Sequence, residues 1–319
     1  MKRYRIIGKL GRGTFGVVLK AFNRQTGEIV AIKKLSGSSD PDFDDLEREV
    51  KSLIVNNHEN IVTLIDIVLE KNMRFLVFEY MQGSLHDRIV ERADQARPFT
   101  ESEVKDMCFQ LFHGLACMHE NGFIHRDLKP SNILVYRDTV KISDLGSSRE
   151  IDDEFPYTHY VGTRCYRAPE VFLRSEVYDS KVDMWAMGAI MYKLFTFHSL
   201  FNGSSDLRVM HKICSVLGTP TQSSWPDGLE LAREISYRFP EFEGVWLSEL
   251  LPSASSEAVD LIGSLLSWDP RARPTAMEAL RHPFFHGCHR ALARGTRQCL
   301  KDSDSSKLFK LAYERLRKK

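Results

Sequence analysis

The stretch His125-Arg126-Asp127-Leu128-Lys129-Pro130-Ser131-Asn132 brings a carboxylate, an ammonium and a side-chain amide close together in the chain. Asp127 can take a proton from an attacking hydroxyl, Lys129 can offset charge on a moving phosphoryl group, and Asn132 can offer an oxygen to a metal ion. The set suits phosphoryl transfer from ATP, with Asp127 and Lys129 as the catalytic candidates. One short match carries little weight by itself, so the other parts of such a site must follow in order.

They do. Gly11-Arg12-Gly13-Thr14-Phe15-Gly16-Val17-Val18 reads as a phosphate loop, because a side chain at the glycines would hold a phosphate away from the backbone N–H groups. A dinucleotide-binding turn has the same glycine spacing, but a helix should follow it. Here Val17-Val18-Leu19-Lys20 reads as a strand. Ala31-Ile32-Lys33, Glu49, the 125–132 stretch, Asp144-Leu145-Gly146 and Ala168-Pro169-Glu170 come next, in that order. From about Tyr4 to about Phe285 the sequence resembles the eukaryotic protein kinases.

That resemblance implies a set of roles. Lys33 pairs with Glu49 and holds the α- and β-phosphates of ATP, while Asp144 and Asn132 hold magnesium. Val18, Ala31 and Leu134 sandwich the adenine, Phe78 stands at the rear of its pocket, and the backbone of Glu79 and Met81 meets its edge. Asp183 braces the catalytic loop, and Glu170 with Arg273 anchors the activation segment. Leu145 stands where the family usually has phenylalanine and keeps an apolar side chain for the helix that carries Glu49.

Two kinds of element must position these groups. Short β-branched runs at Val17–Leu19, Ile29–Ile32, Ile61–Ile65 and Phe75–Phe78 predict an antiparallel sheet, interrupted by one helix over Asp42–Val55. After Met81 the pattern turns amphipathic. Phe109, Leu111, Phe112, Leu115 and Met118 make one apolar stripe, and Val182, Trp185, Met187, Ile190, Met191 and Leu194 another, both read as core. The expected fold is α+β and bilobal. A small sheet lobe over 4–80 and a larger, mainly helical lobe over 84–285 meet at Gln82-Gly83-Ser84, and a basic tail over 287–319 follows. The tail carries ten Lys or Arg against three acidic residues. It reads as a solvated helical tail, with a nuclear-import or acidic-surface contact as the alternative.

The 319 residues carry a net charge of +1 with 43% hydrophobic and 27% charged content, which gives no whole-protein pull toward nucleic acid or membrane. Six scattered cysteines lack metal-site spacing, and the apolar runs are broken by charge. The expectation is a reduced protein of the cytosol or nucleus that binds neither membranes nor nucleic acid directly.

Tyr166-Arg167-Ala168-Pro169-Glu170 and Leu217-Gly218-Thr219-Pro220 resemble the CMGC group, which unites cyclin-dependent, mitogen-activated and male-germ-cell-associated kinases. Thr158-His159-Tyr160 has the Thr-x-Tyr form of the last two. The reading is a serine/threonine kinase directed at Ser/Thr-Pro sites of protein substrates. An upstream kinase acting at Thr158 and Tyr160 would activate it, with Arg126 and Arg167 as the cations that receive phosphate. A cyclin-dependent-type enzyme with a cyclin-like subunit is the competitor. A pseudokinase scaffold is disfavoured, because Lys33, Glu49, Asp127, Asn132 and Asp144 are all present. Cys165 replaces the tryptophan common to the mitogen-activated and cyclin-dependent branches.

Overall fold

The computed structural model describes residues 1–13, 16–35, 43–70, 73–151 and 162–288. Thr14, Phe15, Thr158, Tyr160 and the tail from 289 lie outside them, so the readings placed there stand as sequence expectations.

The first lobe is an antiparallel sheet of β1 (Tyr4–Gly13), β2 (Gly16–Asn23), β3 (Ile29–Leu35), β4 (Leu64–Glu70) and β5 (Met73–Glu79), ordered β1-β2-β3-β5-β4, with α1 (Phe43–Val55) as its helix. Alternation along β3 divides the sheet into two faces. Val30 and Ile32 join Tyr4, Ala21, Phe75 and Val77 in one apolar cluster. Ala31 and Lys33 point the other way. They lie opposite Phe78 and Val18 in the ladder, so all four side chains share one face. On that same side Leu46 and Val50 of α1 pack with Ile67 and Leu76.

One strand differs from expectation. The run Ile61–Ile65 predicts a strand there, but β4 begins at Leu64 and continues through Asp66 to Glu70. Ile61 and Val62 are buried against the second lobe instead: Val62 N donates to Ile142 O at 2.8 Å, and Ile142 N donates to Asn60 O at 2.8 Å. A β-branched run reports burial beside extended backbone, and here the partner lies across the lobes.

The second lobe begins with β6 (Gly83–Ser84), α2 (Leu85–Asp94) and α3 (Glu101–Glu120). Gln82 N bonds Val135 O, and β6 pairs with β8 (Ile133–Tyr136), so the expected hinge stretch is itself tied to this lobe. Between α3 and β8 lies β7 (Phe123–Ile124), and β9 (Thr139–Ile142) and β10 (Arg149–Glu150) follow. Then come α4 (Pro169–Phe172), α5 (Lys181–Thr196), α6 (Asp206–Leu217) and further helices to Leu280. Both predicted stripes are core. Phe109 and Phe112 meet the Phe285 ring at 5.6 and 5.8 Å, and Trp185 stacks on Phe201 at 5.3 Å. Burying each such side chain contributes about 1.5–3 kcal/mol. Among the described residues, no helix is long and apolar enough to cross a membrane.

Candidate active site

The loop between β7 and β8 is fixed from below by one carboxylate. Asp183, in the first turn of α5, is buried, and its two oxygens accept the backbone N–H groups of His125 and Arg126, each at 2.9 Å. His119 Nε2 lies 3.0 Å from the same carboxylate. Burial pushes this carboxyl upward, but the hydrogen bond and attraction of His119, helped by His125, outweigh it and hold it below the usual carboxylate range. It stays ionised as an acceptor for two backbone donors. Arg126 is held at φ 68°, a left-handed conformation uncommon outside glycine, and its Nε donates to Ser147 O at 2.7 Å.

Asp127 sits above this support. Lys129 Nζ approaches its Oδ2 at 2.6 Å, and Asn132 Nδ2 donates to its carbonyl at 2.9 Å and to Oδ2 at 3.2 Å. Thr163 N donates to Oδ1 at 2.9 Å, with its hydroxyl at 3.2 Å. Sequence reasoning missed Thr163. The signal was its place just before the Tyr166–Glu170 motif, where only a fold can bring it to Asp127.

The second half of the site crosses the lobes. Lys33 Nζ lies 2.6 Å from Glu49 Oε1 and 3.2 Å from Asp144 Oδ1. Burial alone would favour neutral Lys33, but Glu49 and then Asp144 outweigh it, so its pKa stands above that of an ordinary lysine and the ammonium persists. Asp144 is held at φ 61°, ψ 60°, and Leu145 after it is fully buried in one cluster with Leu53 of α1. The leucine thus fills the place that the resemblance assigned to an apolar side chain packing on α1.

The remaining candidates lie around this cleft. Gly11, Arg12 and Gly13 end β1, and Gly13 pairs with Gly16, whose φ of 146° L-residues rarely adopt. Met81 is buried just past β5, and Leu134 is half-buried on β8. The Glu79 side chain does separate work that the sequence did not reveal. Its Oε1 accepts from Thr63 N and from Lys141 Nζ, each at 2.7 Å, which ties β5 to β9 of the other lobe.

Two further arginines are held in place, one by a carboxylate and one by a backbone carbonyl. Glu170 and the buried Arg273 form a bidentate pair at 2.6 and 2.8 Å. Arg167 NH2 donates to Gly162 O at 2.8 Å. Gly162 has φ 80°, and a Cβ there would stand 2.8 Å from Arg126 O, so glycine is required for this close turn.

Hard oxygens at Asp144 and Asn132 suit a magnesium ion that takes the rest of its shell from phosphates and water. Asn132 commits its NH2 to Asp127, leaving its Oδ1 for such an ion. Among the described residues, no three His, Cys, Asp or Glu cluster as a metal cage. Protein kinases in general use ATP and magnesium.

The protein kinase domain family matches residues 4–285. Cyclin-dependent kinase F-4 of Oryza sativa subsp. japonica is 50% identical over 290 residues, covering 90% of this chain and 62% of that relative. Serine/threonine-protein kinase MAK of Mus musculus is 46% identical over 288 residues, covering 89% and 46%. Serine/threonine-protein kinase ICK of Mus musculus is 45% identical over 295 residues, covering 91% and 46%. The chain therefore spans only part of these relatives, from 46% of MAK to 62% of kinase F-4. With the family match running almost end to end through the described cleft, the chain belongs to the protein kinase domain family, within its CMGC group.

Proposed function

We propose that the chain is an ATP-dependent serine/threonine protein kinase that prefers an acceptor followed by proline and is activated by phosphate on Thr158 and Tyr160. The environment of Asp127 carries the transfer reading: one oxygen is set by Lys129 and Asn132, the other by Thr163. A carboxylate oriented in this way can take the acceptor proton as the acceptor oxygen bonds to the γ-phosphorus. The bond from that phosphorus to the bridging oxygen breaks, and ADP leaves with the electron pair. Lys129 offsets charge on the transferring group, and Lys33 positions the α- and β-phosphates. Magnesium held by Asp144 and Asn132 would supply further neutralisation of the phosphate oxygens.

The Lys33–Glu49 contact is closed in this chain alone, which supports a kinase that does not depend on a cyclin-like subunit to seat α1. The similarity to a protein named cyclin-dependent kinase F-4 favours the second reading, a partner-dependent enzyme. Incubating the pure chain with ATP, magnesium and a degenerate peptide library tests both. Transfer to serine or threonine with proline enriched next to the acceptor is the expected result. Transfer only after a partner subunit is added would favour the second reading, and no transfer under either condition would sink both. Mass spectrometry of active and phosphatase-treated chain tests Thr158 and Tyr160, with equal activity after dephosphorylation counting against the switch.

A further inference from the structure

Leu46 and Val50 hold α1 to its own sheet, while Leu53, one turn further on, is buried in the cluster of the second lobe. Apolar burial is non-directional, so it constrains only weakly how the helix is turned about its axis. The last turn carries a polar contact that does constrain it. Asn56 follows α1 with its N–H still bonded to Ser52 O at 3.0 Å, and it is fully buried. Its Nδ2 donates to Ser52 O at 2.8 Å, which turns its Oδ1 toward Asn121. Asn121 Nδ2 donates to that oxygen at 3.0 Å and to Val55 O at 3.3 Å. Ser52 O and Val55 O can only accept, so each amide has one orientation that fits. A helix leaves its last carbonyls without intrahelical donors, and for Val55 O a donor comes from the other lobe.

Two placements tie this contact to catalysis. Glu49, Ser52 and Asn56 are spaced by three and four residues, so they lie along one face of the helix, with Asn56 close to two turns beyond Glu49. A rotation of α1 that takes Asn56 from Asn121 therefore also takes Glu49 from Lys33. Asn121 in turn caps α3 four positions before His125, whose N–H is held by Asp183, and the next residue's carbonyl, Gly122 O, accepts from Ile151 N at 2.7 Å. We propose that Asn121 and Asn56 are positioning residues for the Lys33–Glu49 pair. They clamp the end of α1 to the stretch that leads into the catalytic loop, so that α1 is seated by the chain's own second lobe rather than by a partner subunit. Removing the Asn121 amide leaves a buried carbonyl of Asn56 without that donor, which favours any turn of the helix that brings the oxygen to water.

The inference rests on the reading of the chain as a kinase that needs no partner subunit, and the test separates the two. Transfer to the best acceptor peptide from the library is measured with the active full chain as wild type, Asn121→Ala, Asn121→Asp and Glu49→Gln, and with each Asn121 change combined with Glu49→Gln. Asn121→Ala should lower kcat/KM by about tenfold, the worth of one buried acceptor losing its donor. Asn121→Asp sets a carboxylate against two acceptors and should lower it further. In the Glu49→Gln background either change should cost less than about threefold, because a residue that acts by seating Glu49 then has little left to seat. A general weakening of the fold would lower both backgrounds by the same factor. That result, or full activity of a folded Asn121→Ala chain, would overturn the assignment. Thermal melts show which chains are folded, and Asn121→Ala carries the test if Asn121→Asp does not fold. A wild type that transfers phosphate only with an added partner subunit would overturn the partner-free reading itself, and this inference with it.

Discussion

The catalytic loop and the Lys33 cluster do related electrostatic work but are built in opposite ways. In the loop, Asp127, Lys129 and Asn132 lie within one short stretch, and the bonds among them are local. Long-range support comes from beneath, through the buried Asp183. Around Lys33 nothing is local: the lysine is on β3, Glu49 on α1, and Asp144 lies 111 residues beyond the lysine. A loop of the first kind keeps its geometry as long as its own lobe is folded. A cluster of the second kind exists only while two lobes and a helix are in register, so a shift of α1 or of either lobe would open it.

The strongest test of that contrast is Asp127→Asn. It should cut phosphoryl transfer by about 10²–10⁴-fold while leaving ATP affinity nearly unchanged, read by single-turnover rates beside nucleotide titration. Retention of most of the turnover would remove Asp127 from the role of base. Lys33→Met comes next, with a loss of about 10²–10³-fold in kcat/KM that appears in nucleotide KM as well as in kcat. If only kcat moved, the Lys33 cluster would be acting like the loop and the comparison would fail.

Asp183→Asn probes the support rather than the chemistry. An amide offers one acceptor where the carboxylate satisfies two backbone N–H groups, so the variant should lose about 1–3 kcal/mol of stability by denaturant unfolding. Activity should fall with it, by about tenfold. An undisturbed loop would mean that the Arg126 backbone is held by its other contacts.

Lys51→Ala should have the smallest effect. Lys51 Nζ meets Glu150 Oε1 at 2.5 Å, joining α1 to β10, but both side chains are at least one-third exposed. Such a pair contributes under about 1 kcal/mol, so activity should change by less than about fivefold. A much larger loss would show that α1 is held in place chiefly by this contact rather than by burial of Leu145 and Leu53.

The difference between the two regions also sets what could be read in advance. Asp127, Lys129 and Asn132 were legible because their chemistry and spacing are local, and the stripes on α3 and α5 because helical periodicity reports burial. Lys33, Glu49 and Asp144 were named from a family resemblance, since nothing in their spacing joins them. Thr163, the Glu79 side-chain bridge and the Asp206 contacts had no local signal of their own. The run Ile61–Ile65 misled for a related reason: its β-branched residues reported burial, and the partner that buries them is β9 rather than a sheet neighbour.

By itself, then, the sequence determined the order of the parts, the local grouping of Asp127, Lys129 and Asn132, the division into a strand-rich and a helix-rich region, and which helix faces turn inward. These depend on residue type and on periods of two or a few residues. Only the tertiary structure decided which distant charges share a carboxylate, that the N–H groups Asp183 accepts are those of His125 and Arg126, and that Asp206 stands between Arg164 and Arg167. Those contacts join residues separated by tens of positions, and burial and electrostatics depend on distance in space, which sequence spacing does not encode.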